Sequence, residues 1–483
     1  MYIKRAGVAN VSFSFTTRML RNIIGSVNAV EVFEDWLDGY LNFERRPEKD
    51  IFWLDTADYL CRRFGNPQNS APAVHVAGSK GKGSVSRMIS CILSEAGFRT
   101  GVYSSPHITD FRERISLPRS FFDERIYEDS VRELVPKIES IIPDNLPGGR
   151  PVTWFELVTL FAFLCFRRAQ TDWNVIEVGL GGRLDATNII TPRISCITPI
   201  ELEHTEFLGD TPELIAAEKA GIIKPGVPVV VAPQQSAGVR EIFSRTATER
   251  RSPCVFVDEV TDYVDWEFSC GNGLPMMTVS LGGPLFSRPI RTELRLLGGM
   301  QAWNAAEAAV TVKTLFPGMD EAVIGRGLSE AALPGRFEIV RNVPGFPGIP
   351  ALVLDGAHTV NSIRLTLDTA DRLYGDNICL LFACAADKDI KDIAGLLAGR
   401  FRKFFITRPG GQKASDLAAE TEAFRNENVS FISDPDYVRM TRTALGEADA
   451  CGSVLLVTGS FYLVAEVKRI IAGISDDGSG DAP

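Results

Sequence analysis

A short apolar segment that runs straight into a glycine-rich loop constrains the fold of this chain more than any other feature. Residues 73–77 are apolar around a single histidine, residues 78–84 are all glycine, serine or lysine, and the apolar residues that follow recur at helical spacing up to Leu93. Glycines let backbone N–H groups approach phosphate oxygens, and the N-terminus of the next helix is partially positive. The segment therefore predicts a phosphate-binding turn between a buried strand and a helix.

The polar residues of this loop suit ATP and Mg²⁺. Lys82 can reach the β- and γ-phosphates, and the hydroxyl of Ser84 can bind Mg²⁺. The loop departs from the common P-loop pattern, since Gly83 stands between these two residues. The alternative is a glycine-rich surface loop, but the buried strand before it and the amphipathic helix after it argue against that. We predict that ATP contacts Lys80, Gly81, Lys82, Gly83 and Ser84.

Two stretches of alternating strands and helices indicate two α/β units. With 483 residues, the chain exceeds what one compact core usually holds. The alternation predicts parallel sheets with helices on both faces, and it restarts near Pro334. We therefore predict an extension at 1–27, a P-loop-containing parallel-sheet ATPase domain at 28–333, a smaller Rossmann-like α/β domain at 334–474 and a disordered tail at 475–483.

The predicted elements follow from the apolar periodicity of the chain. Strands are expected at 73–77, 101–104, 174–178, 194–198 and 227–231 in the first unit, and at 352–354, 379–383, 403–406 and 454–457 in the second. Helices are expected at 29–43, 155–168, 211–222, 361–374, 389–400, 436–448 and 461–472.

Composition argues against several functional classes. The net charge is −10, which disfavours general nucleic-acid binding, because that binding depends on clustered positive charge. The longest apolar run, 155–166, is interrupted by Glu156 and falls short of the roughly 20 residues that span a bilayer. The 9 cysteines include no C-x-x-C pair, which predicts reduced thiols and no zinc site. We expect a cytoplasmic protein without a secretory signal and without nucleic-acid or membrane partners.

A series of short motifs follows the loop in a fixed order. They are Gly-Lys-Gly-Ser at 81–84, Ser-Pro-His at 105–107, Arg-Glu-Arg-Ile at 112–115, Glu-Val-Gly-Leu-Gly-Gly-Arg-Leu-Asp-Ala-Thr-Asn at 177–188, His-Thr at 204–205, Leu-Gly-Asp-Thr at 208–211, Ala-Glu-Lys-Ala-Gly-Ile at 217–222, Leu-Pro-Gly-Arg at 333–336, Asp-Gly-Ala-His at 355–358 and Gly-Ser-Phe-Tyr-Leu-Val at 459–464. Together they resemble the folylpolyglutamate synthase/dihydrofolate synthase family of the Mur ligase superfamily. Two positions depart from that family: Met300 replaces a common His, and Thr359 follows His358 where bacterial members often have Asn-Pro.

The resemblance implies a fold and a reaction. The fold would be a Mur-ligase-type ATPase domain followed by a Rossmann-like glutamate-ligase domain. In the reaction, ATP would phosphorylate a carboxylate of the acceptor, and the amine of L-glutamate would then displace phosphate. The substrates would be folate or dihydropteroate, L-glutamate and ATP, with Mg²⁺, expected as two ions, and K⁺ or another monovalent cation as cofactors. The resemblance favours a monomer that carries out both the folylpolyglutamate synthase and the dihydrofolate synthase reactions.

The resemblance also assigns the phosphate and metal sites. Lys82, His204 and Lys219 would be catalytic, and Lys219 would be carbamylated so that it helps to hold the second metal ion. Without the family context, Lys219 is an ordinary exposed helical lysine, and a histidine is an unusual ligand for Mg²⁺. The metal ligands would be Ser84, Ser105, Glu177, His204 and the carbamate of Lys219, and ATP would also contact Asn304, Arg336 and Asp355.

The acceptor pocket is assigned in the same way. An aromatic side chain can stack on a pterin ring, although Trp154 and Phe155 are equally compatible with a plain core. Arg336 follows a turn and would simply be solvated if that turn did not reach a cleft. His358 and Ser460 are assigned to the glutamate side. The pterin pocket would be lined by Val152, Thr153, Trp154, Phe155, Leu184, Asp185 and Ala186.

The histidines give an independent indication of a site. His75, His107, His204 and His358 are the only histidines. Three of them fall within the motifs above, and His75 opens the segment His-Val-Ala-Gly at 75–78, which resembles the same family. This distribution favours a site at the carboxyl ends of the strands. His75 lies inside a strand and is expected to be structural. Two other functions stay open: a Mur ligase acting on a nucleotide-linked peptide, which the Ser-Pro-His motif disfavours, and a regulatory nucleotide-binding protein without catalysis, which the retained catalytic set disfavours.

Overall fold

The computed structural model describes residues 29–42, 53–234, 236–271, 274–411 and 413–477. Three sheets and the helices that cover them form this part of the chain. The predicted extension at 1–27 lies outside the described residues, as do the last six residues of the predicted tail. No helix of the described part is long and apolar enough to cross a membrane.

The first sheet carries the glycine-rich loop. Its strands are β1 (Ala73–Ala77), β2 (Thr100–Tyr103), β3 (Ile115–Ser116), β4 (Trp173–Glu177), β5 (Ile194–Ile197), β6 (Val229–Val231) and β7 (Cys254–Phe256). Their order is β3-β2-β4-β1-β5-β6-β7, and only β2 and β3 pair antiparallel. Because β1 and β5 are buried along their whole length, they read in the sequence as continuous apolar runs, as parallel strands covered on both faces do.

Helices cover both faces of this sheet. The one after the loop begins at Lys82, because Gly81 adopts a left-handed backbone with a φ of 89° and ends the turn. The predicted helix at 29–43 ends at Leu37, shortly before Gly39, whose flexible backbone disfavours further helix. The helices are Ala29–Leu37, Leu54–Arg63, Lys82–Glu95, Glu124–Glu139, Trp154–Ala169, Thr205–Leu208, Pro212–Ala220, Ala237–Glu249 and Val257–Val260.

A small antiparallel sheet that was not predicted lies between the two parallel sheets along the chain. It consists of β8 (Tyr263–Gly271), β9 (Leu274–Gly282) and β10 (Ile290–Leu294), in the order β10-β9-β8. Residues of β10 alternate between buried and exposed positions, so this strand has no continuous apolar run. The helices Gly299–Leu315 and Glu321–Ser329 follow, and the first of them is buried along most of its length.

The third sheet confirms the second predicted α/β unit. Its strands are β11 (Glu338–Val340), β12 (Leu352–Leu354), β13 (Ile378–Phe382), β14 (Phe404–Ile406), β15 (Ile432–Ser433) and β16 (Val454–Thr458). Their order is β11-β12-β16-β13-β14-β15, and only β11 pairs antiparallel. The last helix continues to Asp477 and therefore includes the first three residues of the predicted disordered tail. The predicted domain boundaries stay predictions. The helices are Val360–Tyr374, Ile390–Leu397, Leu417–Asn426, Tyr437–Cys451 and Phe461–Asp477.

Candidate active site

A cleft of about 790 Å³ lies where the carboxyl ends of the two parallel sheets face each other. Residues that directly follow β1, β2 and β4 line it from the first sheet, and residues that follow β12, β13 and β16 line it from the other. Ligands of open α/β sheets bind at this edge, because the loops after parallel strands converge there. Most of the predicted site residues meet in this cleft.

Lys82 lies over the glycine-rich loop. Its Nζ donates to the carbonyl oxygen of Gly78 at 3.0 Å, which holds the ammonium group close to the backbone that would bind phosphate. A Cβ on Gly81 would lie 2.6 Å from Oδ1 of Asn304. Asn304 therefore packs directly against the loop from the helix Gly299–Leu315, although it does not itself line the cleft.

A buried ion pair lies next to the loop. Lys219 is 1% exposed, and its Nζ donates to the carbonyl oxygen of Gly78 at 2.8 Å and to Oε1 of Glu203 at 2.9 Å. Burial lowers the pKa of Lys219 to about 8, although Glu203 opposes this shift. Burial alone would raise the pKa of Glu203, but Lys219, Lys82 and Lys80 lower it to about 2. The exposed-lysine alternative for Lys219 is therefore wrong. Glu203 was not predicted from the sequence.

A buried carboxylate at the end of β4 offers a position for a divalent cation. Glu177 is 4% exposed and accepts the N–H of Ser105 at 3.2 Å. Burial raises its pKa, while the charge of Lys82 opposes the shift. A Cβ on Gly83 would lie 3.6 Å from Oε2 of Glu177, so this carboxylate faces the turn that leads into Ser84. One carboxylate and two serine hydroxyls are hard oxygen donors, which fit Mg²⁺.

The same donors do not form a complete metal cage. Among the residues that the structure describes, no group of three or more His, Cys, Asp or Glu side chains could hold a metal ion by itself. Mg²⁺ usually keeps several waters and binds substrate phosphates in addition to one or two carboxylates. The arrangement therefore fits Mg²⁺ that arrives with ATP better than a permanently bound ion.

His204 lies at the cleft in an unusual backbone conformation. Its φ of 46° is in the left-handed region, which non-glycine residues rarely adopt outside turns and functional sites. Burial lowers the pKa of His204 to about 4, against the charge of Glu203. The imidazole is therefore neutral near pH 7, the form in which histidine binds metals.

The side of the C-terminal sheet contributes a partly buried arginine. The guanidinium of Arg336 stacks on the ring of Phe461, with Cζ 4.0 Å from the ring centroid. Burial lowers its pKa, while the charges of Asp355 and Glu177 oppose the shift. Asp355 accepts the N–H of Phe337 at 2.7 Å, so its carboxylate fixes the turn that presents Arg336. The alternative of a solvated arginine is wrong.

His358 and Ser460 both line the cleft near this arginine. Nδ1 of His358 lies 2.8 Å from the carbonyl oxygen of Gly356. A carbonyl only accepts, so Nδ1 carries the proton and Nε2 is left as an acceptor. Burial lowers the pKa of His358 to about 3. The hydroxyl of Ser460 accepts the N–H of Tyr462 at 3.1 Å, which leaves its own proton for another partner.

Aromatic residues form the opposite wall of the cleft. The ring of Trp154 lies 4.8 Å from Cζ of Arg114, and its side chain is also part of a buried core, so both interpretations of this residue hold. Val152 belongs to that core and is not among the residues that line the cleft, which counts against its predicted role. The predicted residues that do line this wall are Thr153, Trp154, Phe155, Leu184, Asp185 and Ala186.

The carboxylate of Asp185 is largely used within its own loop. Oδ2 accepts the N–H of Leu180 at 2.9 Å, and Oδ1 accepts the N–H of Thr187 at 3.0 Å as well as the hydroxyl of the same residue. A carboxylate has about four lone-pair positions. Asp185 therefore shapes the wall of the pocket more than it offers a free group to a pterin.

Charged residues at both ends of the cleft were not predicted. Lys388, Lys413 and Arg469 line it on the side of the C-terminal sheet, and the position of Lys388 shortly after β13 is the signal that could have identified it. At the other end, burial and the charge of Asp110 raise the pKa of Glu34 to about 7. The acidic residues of this end are Glu31, Glu34, Asp35 and Asp38.

Known proteins resemble this chain in sequence and in fold. Residues 335–461 match the family model described as Mur ligase, glutamate ligase domain. A dihydrofolate synthase/folylpolyglutamate synthase of Bacillus subtilis is 30% identical over 453 residues, which are 90% of this chain and 97% of that protein. A folylpolyglutamate synthase of Mycobacterium tuberculosis, solved as complexes with ADP and AMPPCP, has a TM-score of 0.78 at 26% identity and covers 93% of this chain and 98% of that chain.

The relatives differ in length. The chain spans about half the length of a relative named as a probable bifunctional folylpolyglutamate synthase/dihydropteroate synthase of Haloferax volcanii, with 30% identity over 85% of this chain and 47% of that protein. The similarity to the Bacillus subtilis protein over 90% of this chain and the fold shared with the mycobacterial structure confirm the predicted family and its two α/β units. The chain therefore belongs to the folylpolyglutamate synthase/dihydrofolate synthase family of the Mur ligase superfamily, a family of ATP-dependent acid–amino-acid ligases.

Proposed function

We propose that the protein joins L-glutamate to a carboxylate of a folate-type acceptor and converts ATP to ADP and phosphate. The observation that carries this proposal is that Lys82, Glu177 and Arg336 line one cleft although they come from opposite sheets. Simple hydrolysis of ATP would need only the first sheet. A second sheet that closes over the phosphate loop gives a second and a third substrate defined positions beside the γ-phosphate.

In the first step, an oxygen of the acceptor carboxylate forms a bond to the γ-phosphorus, and the bond from that phosphorus to the bridging oxygen of ADP breaks. Phosphoryl transfer between two anions depends on positive charge and in-line positioning. Lys82 and Arg336 supply fixed positive charge from the two sides of the cleft. Bound Mg²⁺ would neutralise phosphate charge. Its ligands would be Ser84, Ser105, Glu177 and His204, and ATP would also contact Asn304 and Asp355.

In the second step, the amine nitrogen of glutamate attacks the acyl carbon, and the carbon–oxygen bond to phosphate breaks. The glutamate ammonium must first lose a proton, because only the neutral amine has a lone pair to donate. The proton leaves to water, because the pKa of His358, about 3, is too low for this side chain to hold it. Nε2 of His358 can accept a hydrogen bond from the amine within the cleft, and the hydroxyl proton of Ser460 can bind a carboxylate oxygen. These two residues therefore suit the incoming glutamate.

Lys219 is the proposed site of carbamylation. CO₂ reacts with a neutral amine to form a nitrogen–carbon bond with loss of a proton. Burial lowers the pKa of Lys219, so a larger fraction of this amine is neutral near pH 7 than of an ordinary exposed lysine. Burial of Lys219 thus makes this side chain reactive towards CO₂.

The acceptor range is proposed to include dihydropteroate as well as tetrahydrofolate. Leu184 and Ala186 line the wall beside Phe155, and together they offer an apolar surface to a pterin ring. The combined name of the Bacillus subtilis relative favours the same pair of activities. Within this proposal the protein is a cytoplasmic monomer that requires Mg²⁺ and uses K⁺ or another monovalent cation.

A paired assay tests the proposal. Phosphate release and formation of the glutamate adduct are measured with ATP, Mg²⁺ and L-glutamate, with dihydropteroate in one arm and tetrahydrofolate in the other. We expect product in both arms, and no product with Lys82→Ala, because the γ-phosphate loses its cationic partner. Product in one arm only would restrict the acceptor range. Phosphate release that is independent of glutamate and of both acceptors would contradict the ligase assignment.

A further inference from the structure

His75 is the histidine for which the proposed reaction has no role. It is completely buried in β1, three residues before the glycine-rich loop begins. Its Nε2 lies 2.9 Å from the hydroxyl oxygen of Thr187, and that hydroxyl is hydrogen-bonded to Oδ1 of Asp185. Asp185 lines the cleft, whereas His75 does not. A chain of three side chains thus connects the strand before the ATP loop with the wall of the acceptor pocket.

The direction of these hydrogen bonds follows from their chemistry. An ionised carboxylate only accepts, so the hydroxyl of Thr187 donates to Asp185 and its oxygen accepts from Nε2–H of His75. Nδ1 of His75 is then unprotonated, and it is buried without a hydrogen-bond partner among the described residues. Burial and the nearby charge of Lys224 lower the pKa of His75 to about 3. The imidazole is therefore a permanent donor through Nε2 at any pH at which the enzyme works.

The connection continues from Asp185 into the pocket wall. Oδ2 of Asp185 accepts the N–H of Leu180 at 2.9 Å, which ties Asp185 to the start of the loop 179–187. At the start of this loop, a Cβ on Gly179 would lie 2.3 Å from the ring of Phe155. The loop backbone thus rests directly on an aromatic ring that lines the cleft, so a shift of the loop moves the surface against which an acceptor binds.

A second anchor, at Asn188, lies directly after this loop and does not involve β1. Nζ of Lys224 donates to the carbonyl oxygen of Asn188 at 2.7 Å, and Nδ2 of Asn188 donates to the carbonyl oxygen of Arg183 at 3.0 Å. Loss of the His75 connection therefore leaves the loop attached and releases only the segment around Asp185.

We propose that His75 is a positioning residue for the acceptor: through Thr187 and Asp185 it fixes the loop 179–187, and it thereby sets the affinity for a pteroate-type acceptor that it does not touch. This role depends on the proposed function in one respect, which is that the acceptor is of the pteroate type. ATP contacts the residues that follow β1 directly, so a merely structural role of His75 would affect ATP and the acceptor together.

Three variants and one control test this role. His75→Leu removes the donor, and Thr187→Val removes the hydroxyl without changing the shape of the side chain. His75→Gln is the conservative variant, since its amide nitrogen can donate from nearly the same position. Ile176→Val is the control, because Ile176 is buried on β4 at the register position beside His75 and has no bond to the loop. Each is measured for the KM of dihydropteroate, the KM of ATP, and the Kd of pteroic acid without turnover.

The expected result is a split between the two substrates. His75→Leu and Thr187→Val raise the KM of dihydropteroate and the Kd of pteroic acid about tenfold, the effect of losing one buried hydrogen bond, while the KM of ATP stays within about twofold. His75→Gln restores most of the acceptor affinity, and the double variant His75→Leu/Thr187→Val is no weaker than either single variant. The role would be overturned by any of four results: equal changes in the KM of ATP and the KM of dihydropteroate, additive effects of the two single substitutions in the double variant, an unchanged Kd of pteroic acid, or the same loss of acceptor affinity in Ile176→Val. A wild-type protein that neither binds pteroic acid nor glutamylates an acceptor would instead refute the proposed function.

Discussion

Glu307 should make the stability of the protein fall as pH rises, and Glu307→Gln should remove that dependence. Glu307 is completely buried on the helix Gly299–Leu315. Oε1 accepts the thiol of Cys196 at 3.0 Å, and Oε2 has no partner among the described residues. No cation in the described part of the chain compensates the carboxylate, so burial raises its pKa to about 8 from an ordinary value of 4.5. The folded protein therefore holds this group protonated at neutral pH.

The magnitude follows from the two pKa values. Below pH 4.5 the carboxyl is protonated in both states and contributes no pH dependence. Between pH 4.5 and pH 8 the unfolded state releases a proton that the folded state retains, so the free energy of unfolding falls by about 1.4 kcal/mol per pH unit. The loss reaches about 3 kcal/mol at pH 7 and about 5 kcal/mol above pH 8, where both states are ionised. Because the group has no solvent contact, no screening reduces these values.

Urea unfolding of the wild type and of Glu307→Gln at pH 5, 7 and 8.5 tests this prediction. The amide of the variant would keep an acceptor for the Cys196 thiol, so the two proteins should have similar stability at pH 5. At pH 8.5 the variant should be more stable by about 4–5 kcal/mol. Glu241→Gln, at an exposed position, is the control and should follow the wild type at every pH. Parallel stability curves for the wild type and Glu307→Gln would refute the reasoning.

Two further predictions concern the phosphate loop and the arginine opposite it. Gly81→Ala should weaken ADP binding at least tenfold in calorimetry, because a Cβ is strained at a φ of 89° and collides with the side chain of Asn304. The control Gly446→Ala, where a Cβ meets open space, should bind ADP as the wild type does. Equal ADP affinities of the two variants would contradict the strain argument. Arg336→Lys should lower kcat about tenfold or more, because an ammonium group lacks the planar face that stacks on Phe461. A kcat within twofold of the wild type would show that this stacking is not needed.

The parallel sheets could be predicted from the sequence because their strands are buried on both faces. Such strands appear as uninterrupted apolar runs, and the strands at β1, β5, β12 and β16 were predicted within one residue of their observed bounds. The antiparallel strands β8–β10 were missed, since one face of such a sheet meets solvent and polar residues interrupt the apolar pattern. Sequence periodicity thus predicts the two parallel sheets that form the cleft but does not predict the antiparallel sheet between them.

The site itself was only partly predictable. Lys82 was found because it stands in the glycine-rich loop after β1, and Glu177 was found because the motif that it opens resembles the family. Glu203 was not, although it stands beside His204, because its role depends on Lys219, which lies 16 positions away in the sequence. For Asp185 the position was predicted but the role was not. The family resemblance places this residue in the pocket, but only the structure shows that its carboxylate oxygens accept hydrogen bonds from the backbone N–H groups of Leu180 and Thr187. Partners that are distant in sequence decide what a side chain is free to do.

The ion pair between Lys219 and Glu203 makes the proposed carbamate dependent on metal. As an ammonium group, Lys219 compensates Glu203 at 2.9 Å. A carbamate at the same position would replace that attraction by repulsion between two anions, worth about 4 kcal/mol at a separation of roughly 4 Å. We therefore expect the proposed modification to be stable only when a divalent cation is bound at this site.

Carbamylation of Lys219 should accordingly require Mg²⁺. With ¹³CO₂, a carbamate signal in the NMR spectrum should appear with Mg²⁺ and nucleotide, be absent with a chelator, and be absent in Lys219→Ala under all conditions. Lys219→Ala should be inactive and partly rescued by small carboxylates, which can occupy the vacated volume as an anion. A carbamate signal of equal size without Mg²⁺ would refute the electrostatic argument, because two anions would then share the site without a cation. Full activity of Lys219→Ala without any additive would remove the carbamate from the reaction altogether.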